Sequence, residues 1–253
     1  MEEIALLRRR FDAYTQSNRI FEKAYWVSGL WGDYLEFGTF RGDSFVSAYA
    51  AAHKVYAEMV SEKWDHAHGD VELARDHFHS AWSEIRFIGF DSFEGMPMPE
   101  QNDGEQENFN PGTYACSEED FLRSIASEGV DLAKVRTVKG FFKETLIPQT
   151  AQELHLKRVA VVHIDSDLYE SAKRALDFVT PFLIDGAIIV FDEWFQFLAS
   201  PYRGERRAFG EWCSAHPEWL VSGFQKEGAF TNSFVLSKRS TEEIGEQPPA
   251  LYA

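Results

Sequence analysis

Acidic residues follow several short apolar runs of this sequence, and their repeated placement could serve binding or catalysis. The runs end at Glu36 with Gly38, Asp91, Gly140, Asp165 and Asp192. Any one of these acids could simply cap the helix that follows it. In an open parallel sheet, however, ligands bind outside the carboxyl ends of the strands. Taken together, the acids predict one shared crevice.

The turn after the first run indicates which cofactor this crevice would hold. Residues 36–42, with the sequence EFGTFRG, lack the middle glycine of the dinucleotide fingerprint Gly-x-Gly-x-x-Gly, and Phe40 is bulky. The sequence also has no Gly-Lys-Ser/Thr loop for binding phosphate. S-adenosylmethionine carries no phosphate, and its sulfonium and amino acid end suit an acid-lined turn opened by glycine. We therefore expect S-adenosylmethionine as the cofactor.

Contacts to this cofactor are predicted at several of the strand ends. The carboxylate of Asp91 is placed to accept hydrogen bonds from both ribose hydroxyls. Glycines at positions 38 and 42 would let the backbone approach the methionine end, and residues 140–142 would meet the adenine. The predicted cofactor-binding residues are Glu36, Gly38, Thr39, Phe40, Arg41, Asp91, Ser92, Phe93, Gly140, Phe141 and Asp165.

The elements that must position these residues alternate between strand and helix. Strands are predicted over residues 33–38, 85–90, 135–138, 159–164 and 186–191, and residues 219–224 and 233–236 predict a closing antiparallel pair. Helical spacing separates most of these strands. The expected fold is α/β, with a mainly parallel seven-stranded sheet and helices on both faces.

The length of 253 residues suits one domain spanning residues 1–253. Within it we expect a helical cap over residues 1–30 and a helical insertion over residues 58–83. Residues 96–112 contain prolines and glycines among acids and amides, which predicts a loop that could close over the site as a lid.

Composition excludes several classes of partner. The net charge is −16, from 25 basic and 41 acidic residues, so nucleic acid and anionic membrane surfaces are not expected as partners. No apolar run approaches the roughly 20 residues of a membrane helix, and residues 1–10 show no signal-peptide core. A cytoplasmic protein with a small-molecule partner is expected, and the sequence leaves a homo-oligomer open.

Several residues near the predicted crevice have a structural interpretation as well as a functional one. His163 lies two residues deeper in its strand than Asp165, which favours a hydrogen-bonded core histidine over a base. Asp167 is predicted to cap the next helix. Tyr169 would either line the acceptor pocket or pack in the core.

Two further groups of side chains could touch a ligand. Two His-x-His pairs suggest a metal, but residues i and i+2 do not share a helix face, so a solvated surface is predicted. They are His66, His68, His77 and His79. A stretch after the fifth strand would either stack on an acceptor or pack the last helix onto the sheet. It contains Trp194, Phe195, Phe197, Tyr202, Arg203, Arg206 and Arg207.

Four sequence blocks resemble the signature blocks of the macrocin O-methyltransferase family. They are residues 36–38 (EFG), 90–97 (FDSFEGMP), 139–146 (KGFFKETL) and 163–171 (HIDSDLYES), and the resemblance runs from about residue 33 to 194. Members of that family methylate sugar hydroxyls of macrolides and related natural products. The resemblance implies a Rossmann-like class I methyltransferase fold, S-adenosylmethionine as methyl donor and a magnesium ion.

The resemblance also implies the metal ligands, which fall on Asp165, Asp192 and Glu193. The family usually has two aspartates where this chain has Asp192-Glu193. The additional methylene leaves open whether Glu193 ligates the metal directly, through a water or not at all.

The predicted function is S-adenosylmethionine- and divalent-metal-dependent O-methylation of a sugar hydroxyl on a glycosylated natural product, as in antibiotic biosynthesis. Asp165 and Asp192 are the predicted catalytic residues, because a hard cation held there would bind the hydroxyl and lower its pKa. Two alternatives are a catechol- or phenol-type O-methyltransferase and a non-catalytic protein that binds S-adenosylmethionine.

Overall fold

A computed structural model describes residues 18–61, 71–101, 103 and 110–240. His66 and His68 lie outside these residues, as do most of the predicted N-terminal cap and parts of the predicted insertion and lid. His77 and His79 make separate contacts, since His77 packs edge-on against Trp31 at 4.1 Å between ring centroids and Nδ1 of His79 lies 2.9 Å from the Tyr56 hydroxyl.

Strands and helices alternate along the described chain, as the sequence predicts. The strands are β1 Asp33–Phe37, β2 Phe87–Asp91, β3 Val135–Lys139, β4 Val159–Ile164, β5 Leu183–Phe191, β6 Trp219–Glu227 and β7 Thr231–Lys238. The helices are α1 Asn18–Ser28, α2 Asp43–Met59, α3 Val71–Glu84, α4 Glu118–Ser127, α5 Phe142–Thr145, α6 Pro148–Glu153, α7 Tyr169–Val179, α8 Gln196–Ala199 and α9 Gly204–Ala215. Short 3-10 turns cover Leu132–Lys134 and Thr180–Phe182.

The strands form one seven-stranded sheet in the order β3-β2-β1-β4-β5-β7-β6. The pairs among β1 to β5 are parallel, and β7 runs antiparallel to both β5 and β6. This confirms the predicted sheet and its closing hairpin. Chain order reverses between β1 and β4, and such a switch point opens a crevice at the carboxyl ends of the two strands.

Helices cover both faces of the sheet, because successive residues of each strand point to opposite sides. In β1, Tyr34 packs into the core beneath α1 to α4, whereas Leu35 and Phe37 pack into the core beneath α6, α7 and α9. All six residues of β4 are buried, as expected of a central parallel strand. Within the described residues, no helix is both long and apolar enough to span a membrane.

Candidate active site

Backbone hydrogen bonds join the loops at the carboxyl ends of the central strands. The Gly38 amide donates to the Phe90 carbonyl at 2.9 Å, that of Asp165 to Phe37 at 2.9 Å and that of Asp192 to Ile164 at 3.0 Å. Each bond continues the parallel ladder one residue beyond a strand. The side chains of Asp165 and Asp192 are thereby presented next to the turn after β1.

Gly38 is required by the close approach of this turn to β4. Its φ is +91°, and a Cβ atom there would lie 1.8 Å from the carbonyl oxygen of Asp165. No side chain can be accommodated without moving the backbone of one of the two strands. The glycine therefore allows the turn to pass directly beside the first acid of the site.

Asp91 links the loops that follow β1 and β2. Its Oδ2 accepts hydrogen bonds from the amides of Thr39 at 2.7 Å and Phe40 at 3.2 Å, and its Oδ1 accepts one from the amide of Phe93 at 2.7 Å. The Thr39 hydroxyl also donates to Oδ2, at 3.3 Å, whereas among the described residues Oδ1 accepts only from the Phe93 amide. Each carboxylate oxygen has about two lone-pair positions, so Oδ1 retains capacity for a hydroxyl donor. Asp91 thus stabilises the turn after β1 by hydrogen bonds and also lines the crevice at the carboxyl ends of the strands.

Two cavities meet at the ends of β4 and β5. The first, of about 350 Å³, lies between the loops after β1 to β3 and the start of α7. The second, of about 400 Å³, lies between α1, the start of α2 and the β6–β7 turn. Phe40, Asp165 and Asp192 line both. These three residues form the junction between the cavities.

Most of the sequence-predicted cofactor residues line one of these cavities. Those lining the first are Gly38, Phe40, Asp91, Ser92, Phe141 and Asp165, and those lining the second include Thr39, Phe40, Arg41 and Asp165. Three others are not among the residues that line either cavity. They are Glu36, Phe93 and Gly140. Phe93 packs against Phe121 at 5.8 Å in the core instead.

Glu36 belongs to a buried polar network beneath the site. It is completely buried and accepts hydrogen bonds from the hydroxyls of Tyr34 and Ser44, each at 2.5 Å. His163 is its neighbour in the strand register, with Nδ1 3.7 Å from Oε1. Burial acts to lower the pKa of His163, but Glu36, with smaller contributions from the charges of Asp165 and Asp192, raises the pKa to about 9. A pKa of about 9 makes His163 an imidazolium at neutral pH. It is the core histidine that the sequence predicts, but its Nδ1 has no hydrogen-bond partner among the described residues.

Three carboxylates converge at the junction of the cavities. One oxygen each from Asp165, Asp192 and Glu193 lies within 4.8 Å of the others. Oε2 of Glu193 is buried and has no hydrogen-bond partner among the described residues. The sequence-predicted metal ligands are thus brought together, and Glu193 presents an unpaired oxygen despite its longer side chain.

Burial and neighbouring charge disfavour the charged forms of Asp165, Asp167 and Glu193. Burial and the nearby charge of Asp192 raise the pKa of Asp165, and burial with the charges of Asp165 and Glu205 raises that of Glu193. Burial and Asp192 also raise the pKa of Asp167 to about 6. A cation among these oxygens would reverse this effect by stabilising the carboxylates.

Some residues of the site were missed from sequence alone. Thr231 donates a hydrogen bond through Oγ1 to Oδ1 of Asp192 at 2.9 Å, and Glu205 accepts one from the amide of Glu193 at 3.0 Å. Both come from elements that follow the fifth strand. Glu205 stands in the first turn of α9, where an acid suggests only a favourable interaction with the helix dipole.

Other expectations are decided by packing. Tyr169 is 4% exposed and donates a hydrogen bond to Glu211 at 2.6 Å, so it packs α7 against α9. Trp194 packs among Phe191, Phe209 and Phe234. Tyr169 and Trp194 therefore pack as the structural interpretation predicts, whereas Tyr202, in the same stretch as Trp194, is 81% exposed.

The helix cap predicted at Asp167 is wrong. Leu168 is the N-cap residue of α7 and provides no side-chain hydrogen bond. Oδ1 of Asp103, in the predicted lid, accepts from the Glu170 amide at 3.0 Å instead. Asp167 adopts a φ of +60° and lines the first cavity.

A family model described as Macrocin-O-methyltransferase (TylF) matches residues 79–207, just over half of the chain. The chain belongs to this family. The matched segment runs from within α3 to the first turn of α9, and it contains Asp91 and the three converging carboxylates.

Similar proteins include a curated relative and solved structures. An 8-demethyl-8-(2,3-dimethoxy-alpha-L-rhamnosyl)-tetracenomycin-C 4'-O-methyltransferase from Streptomyces olivaceus is 29% identical over 172 residues, covering 66% of this chain and 55% of that protein. The chain thus spans little more than half of the length of that relative.

The solved structures share the fold of this chain. CalS11, a calicheamicin methyltransferase, superposes with a TM-score of 0.62 at 20% identity, covering 90% of this chain and 80% of its own. TomG of Streptomyces achromogenes, an O-methyltransferase solved in complex with SAM, has a TM-score of 0.54 at 15% identity, covering 92% and 86%. The fold is therefore that of the Rossmann-like methyltransferases.

Proposed function

We propose that this protein is an S-adenosylmethionine-dependent O-methyltransferase that requires a divalent cation and methylates a sugar hydroxyl of a glycosylated natural product. The observation that carries the proposal is the convergence of Asp165, Asp192 and Glu193 within 4.8 Å at the junction of two cavities. A donor in one cavity and an acceptor in the other would meet at these acids. The family and the sugar O-methyltransferase from Streptomyces olivaceus support the reaction class.

The donor would lie along the carboxyl ends of β1, β2 and β4, with its adenosine part in the first cavity. Asp91 would accept hydrogen bonds from the ribose hydroxyls while it holds the turn after β1. Phe141 would offer a ring face to the adenine, and Phe40, packed edge-on against Tyr114 at 5.8 Å, would close the side of the cavity. When bound, the sulfonium supplies an activated methyl group.

The converging oxygens fit a hard divalent cation. All three donors are carboxylates, which magnesium prefers, and the buried Oε2 of Glu193 lacks a partner among the described residues. When bound, the cation supplies a positive centre that binds a hydroxyl oxygen and lowers its pKa. We propose Asp165, Asp192 and Glu193 as its ligands, with Thr231 orienting Asp192.

The acceptor would enter through the second cavity. Its polar lining, from Arg41, Ser44, Ser47 and Thr231, offers hydrogen bonds to sugar hydroxyls, and Phe21 offers an apolar wall. The reaction moves the methyl group from sulfur to the acceptor oxygen, and the hydroxyl proton is released. Holding donor and acceptor on opposite sides of Asp165 aligns them for in-line displacement, which is the largest contribution expected of the protein.

A side-by-side assay of acceptors tests the proposal. The full chain, with S-adenosylmethionine and magnesium, should methylate deoxysugar glycosides and should act poorly on simple catechols. Mass spectrometry of the products would locate the new methyl group on the sugar. Rapid methylation of catechol without turnover of any glycoside would contradict the sugar specificity and favour a phenol-type enzyme.

A further inference from the structure

Helix α9 brings a buried carboxylate beside the acid pair at the end of β5. Glu205 is 1% exposed, and its Oε2 accepts a hydrogen bond from the Glu193 amide at 3.0 Å. Its other oxygen, Oε1, is buried without a hydrogen-bond partner among the described residues. One oxygen of this carboxylate therefore bonds to the backbone of the site, and the other has no partner among the described residues.

The position of Glu205 in its helix does not account for these contacts. An acid in the first turn of a helix normally interacts with the free amides of that turn. Glu205 instead accepts from an amide 12 residues earlier in the chain. An ionised carboxylate buried without full pairing is costly, and Asp165 and Asp192 lie close enough to interact with it electrostatically. A positive group near these acids would remove that cost.

We propose that Glu205 is an outer carboxylate of the cation site, which positions Glu193 and holds a cation-bound water. This inference rests on the divalent cation of the proposed function. Glu205 is not one of the three residues whose oxygens lie within 4.8 Å of each other, so its contact to the cation would pass through water. Magnesium usually retains several waters, and Oε1 would accept a hydrogen bond from one of them.

The test compares cation binding by the full-length, metal-free protein and its Glu205→Gln variant. Glutamine keeps the size of the side chain, and its carbonyl oxygen can still accept the hydrogen bond from the Glu193 amide. Its amino group replaces Oε1 of the carboxylate, so the variant loses the negative charge. Titration calorimetry with magnesium chloride and with manganese chloride should show binding weakened by about 10- to 100-fold, the usual effect of losing an outer-shell partner. The affinity for S-adenosylhomocysteine should be unchanged.

A matched control is Glu153→Gln, which removes one charge from an exposed position on α6. It should bind both cations within twofold of the unmodified protein. Thermal melts with and without magnesium add a second readout, because the melting temperature gained on adding magnesium should shrink in Glu205→Gln. If Glu205→Gln does not fold, Glu205→Asp, which keeps the charge and withdraws the oxygens, should show the weakened binding.

The outcomes separate this inference from the proposed function. Folded Glu205 variants that bind cations like the unmodified protein would overturn the role of Glu205 and leave the three-acid site intact. If Glu205→Gln lowered the melting temperature equally with and without magnesium, the role of Glu205 would be purely structural and the proposal would be wrong. An unmodified protein that binds neither cation would overturn the metal requirement and this inference together.

Discussion

Gly38 shows how a single residue decides whether the site can form. We expect Gly38→Ala to destabilise the protein by about 3 kcal/mol or more, because left-handed backbone strain adds to a clash with the Asp165 carbonyl. The affinity for S-adenosylhomocysteine should fall as well. Urea unfolding and calorimetry provide the two measurements.

Gly186 is the matched control for this substitution. It also has a positive φ, +82°, but a Cβ atom there would have no atom within 4 Å. Gly186→Ala should therefore cost only the backbone strain, about 1–2 kcal/mol, and leave donor affinity unchanged. Equal losses in the two variants would show that the approach to Asp165 is not what requires glycine.

The pair formed by His163 and Glu36 makes stability depend on pH. The folded pKa of His163 is raised to about 9, above the ordinary value near 6.5. A raised pKa contributes stability that is complete below about pH 6.5 and is lost as the pH rises through about 9. The contribution is on the order of 3 kcal/mol. Stability should therefore fall between pH 6.5 and 9.5.

Glu36→Gln is the variant that isolates this effect. It removes the charge that raises the pKa of His163, so the fall in stability across that window should become smaller. The raised pKa values of Asp165 and Glu193 also make stability depend on pH in both proteins. The readout is therefore the difference in the free energy of unfolding between the unmodified protein and Glu36→Gln at each pH. Parallel stability curves would contradict the assignment of an imidazolium at His163.

The sequence predicts the convergence of the strand-end acids, but it does not predict the buried position of Glu36. Asp165 and Asp192 could be predicted to converge because parallel strands end at one edge of a sheet. Glu36 also lies near such an end, but its neighbour in the register is His163, and α1 and α2 cover that face. Strand register and helix packing depend on residues far apart in the chain. In the sequence alone, a carboxylate buried in the core therefore cannot be distinguished from one that faces a ligand.

At the scale of elements, the described part of the predicted lid is bonded to α7. Backbone hydrogen bonds of 2.9 Å join Met96 to Thr113 and Gly112 to Met96 at its base. Asp103 accepts from the Glu170 amide at 3.0 Å, and Arg174 pairs with Glu100 at 2.8 Å. Glu100, Asp103, Glu170 and Arg174 all line the first cavity, so these contacts form one of its walls.

Asp103→Ala should release this wall. The loss of a helix cap costs about 1 kcal/mol, which corresponds to roughly a fivefold change in an equilibrium. We expect residues 96–101 and 110–114 to exchange amide hydrogens faster, and S-adenosylhomocysteine to bind several-fold more weakly.

The control is Asp177→Ala, which breaks only an exposed pair with Lys173 at 3.5 Å on the same helix. It should change neither hydrogen exchange in the loop nor donor affinity. If Asp103→Ala also leaves both unchanged, the loop is held by its base and by the Arg174–Glu100 pair.

Elements with strong periodicity were predictable, and contacts between distant elements were not. The apolar runs of β4 and β5 and the closing hairpin were evident in the sequence. The hydrogen bond from Thr231 to Asp192 depends on the antiparallel pairing of β7 with β5, in which Phe191 pairs with Asn232. No local pattern marks that register, and the same holds for the cap that Asp103 supplies to α7.

At the scale of the whole molecule, we propose that the two faces of the sheet serve different ligands. The first cavity adjoins α7 and the second adjoins α1 and α2, and they meet where the strand order reverses. Acidic residues gather near this junction, where burial and the charge of Asp192 raise the pKa values of Asp165, Asp167, Glu193 and Glu205. A cluster of acids of this kind would suit the proposed cation.

This division predicts that donor binding and turnover respond differently to chelation. The proposed ribose and adenine contacts are on Asp91 and Phe141, which are not among the three clustered acids, whereas the acceptor oxygen would lie on the cation. Exhaustive chelation should therefore abolish methylation of a glycoside and leave S-adenosylhomocysteine binding within a few-fold of its original affinity. Magnesium should restore turnover.

Substitutions at the acids should rank in the same assay. Asp165→Asn and Asp192→Asn should lose most of the turnover, and Glu193→Gln should lose less, because its longer side chain can ligate through water. Each should retain donor affinity, since none of these side chains is proposed to hold the ribose or adenine. Full turnover after chelation would refute the metal requirement. Joint loss of donor affinity and turnover would instead show that the acids serve the donor, and that the two faces are not separate in function.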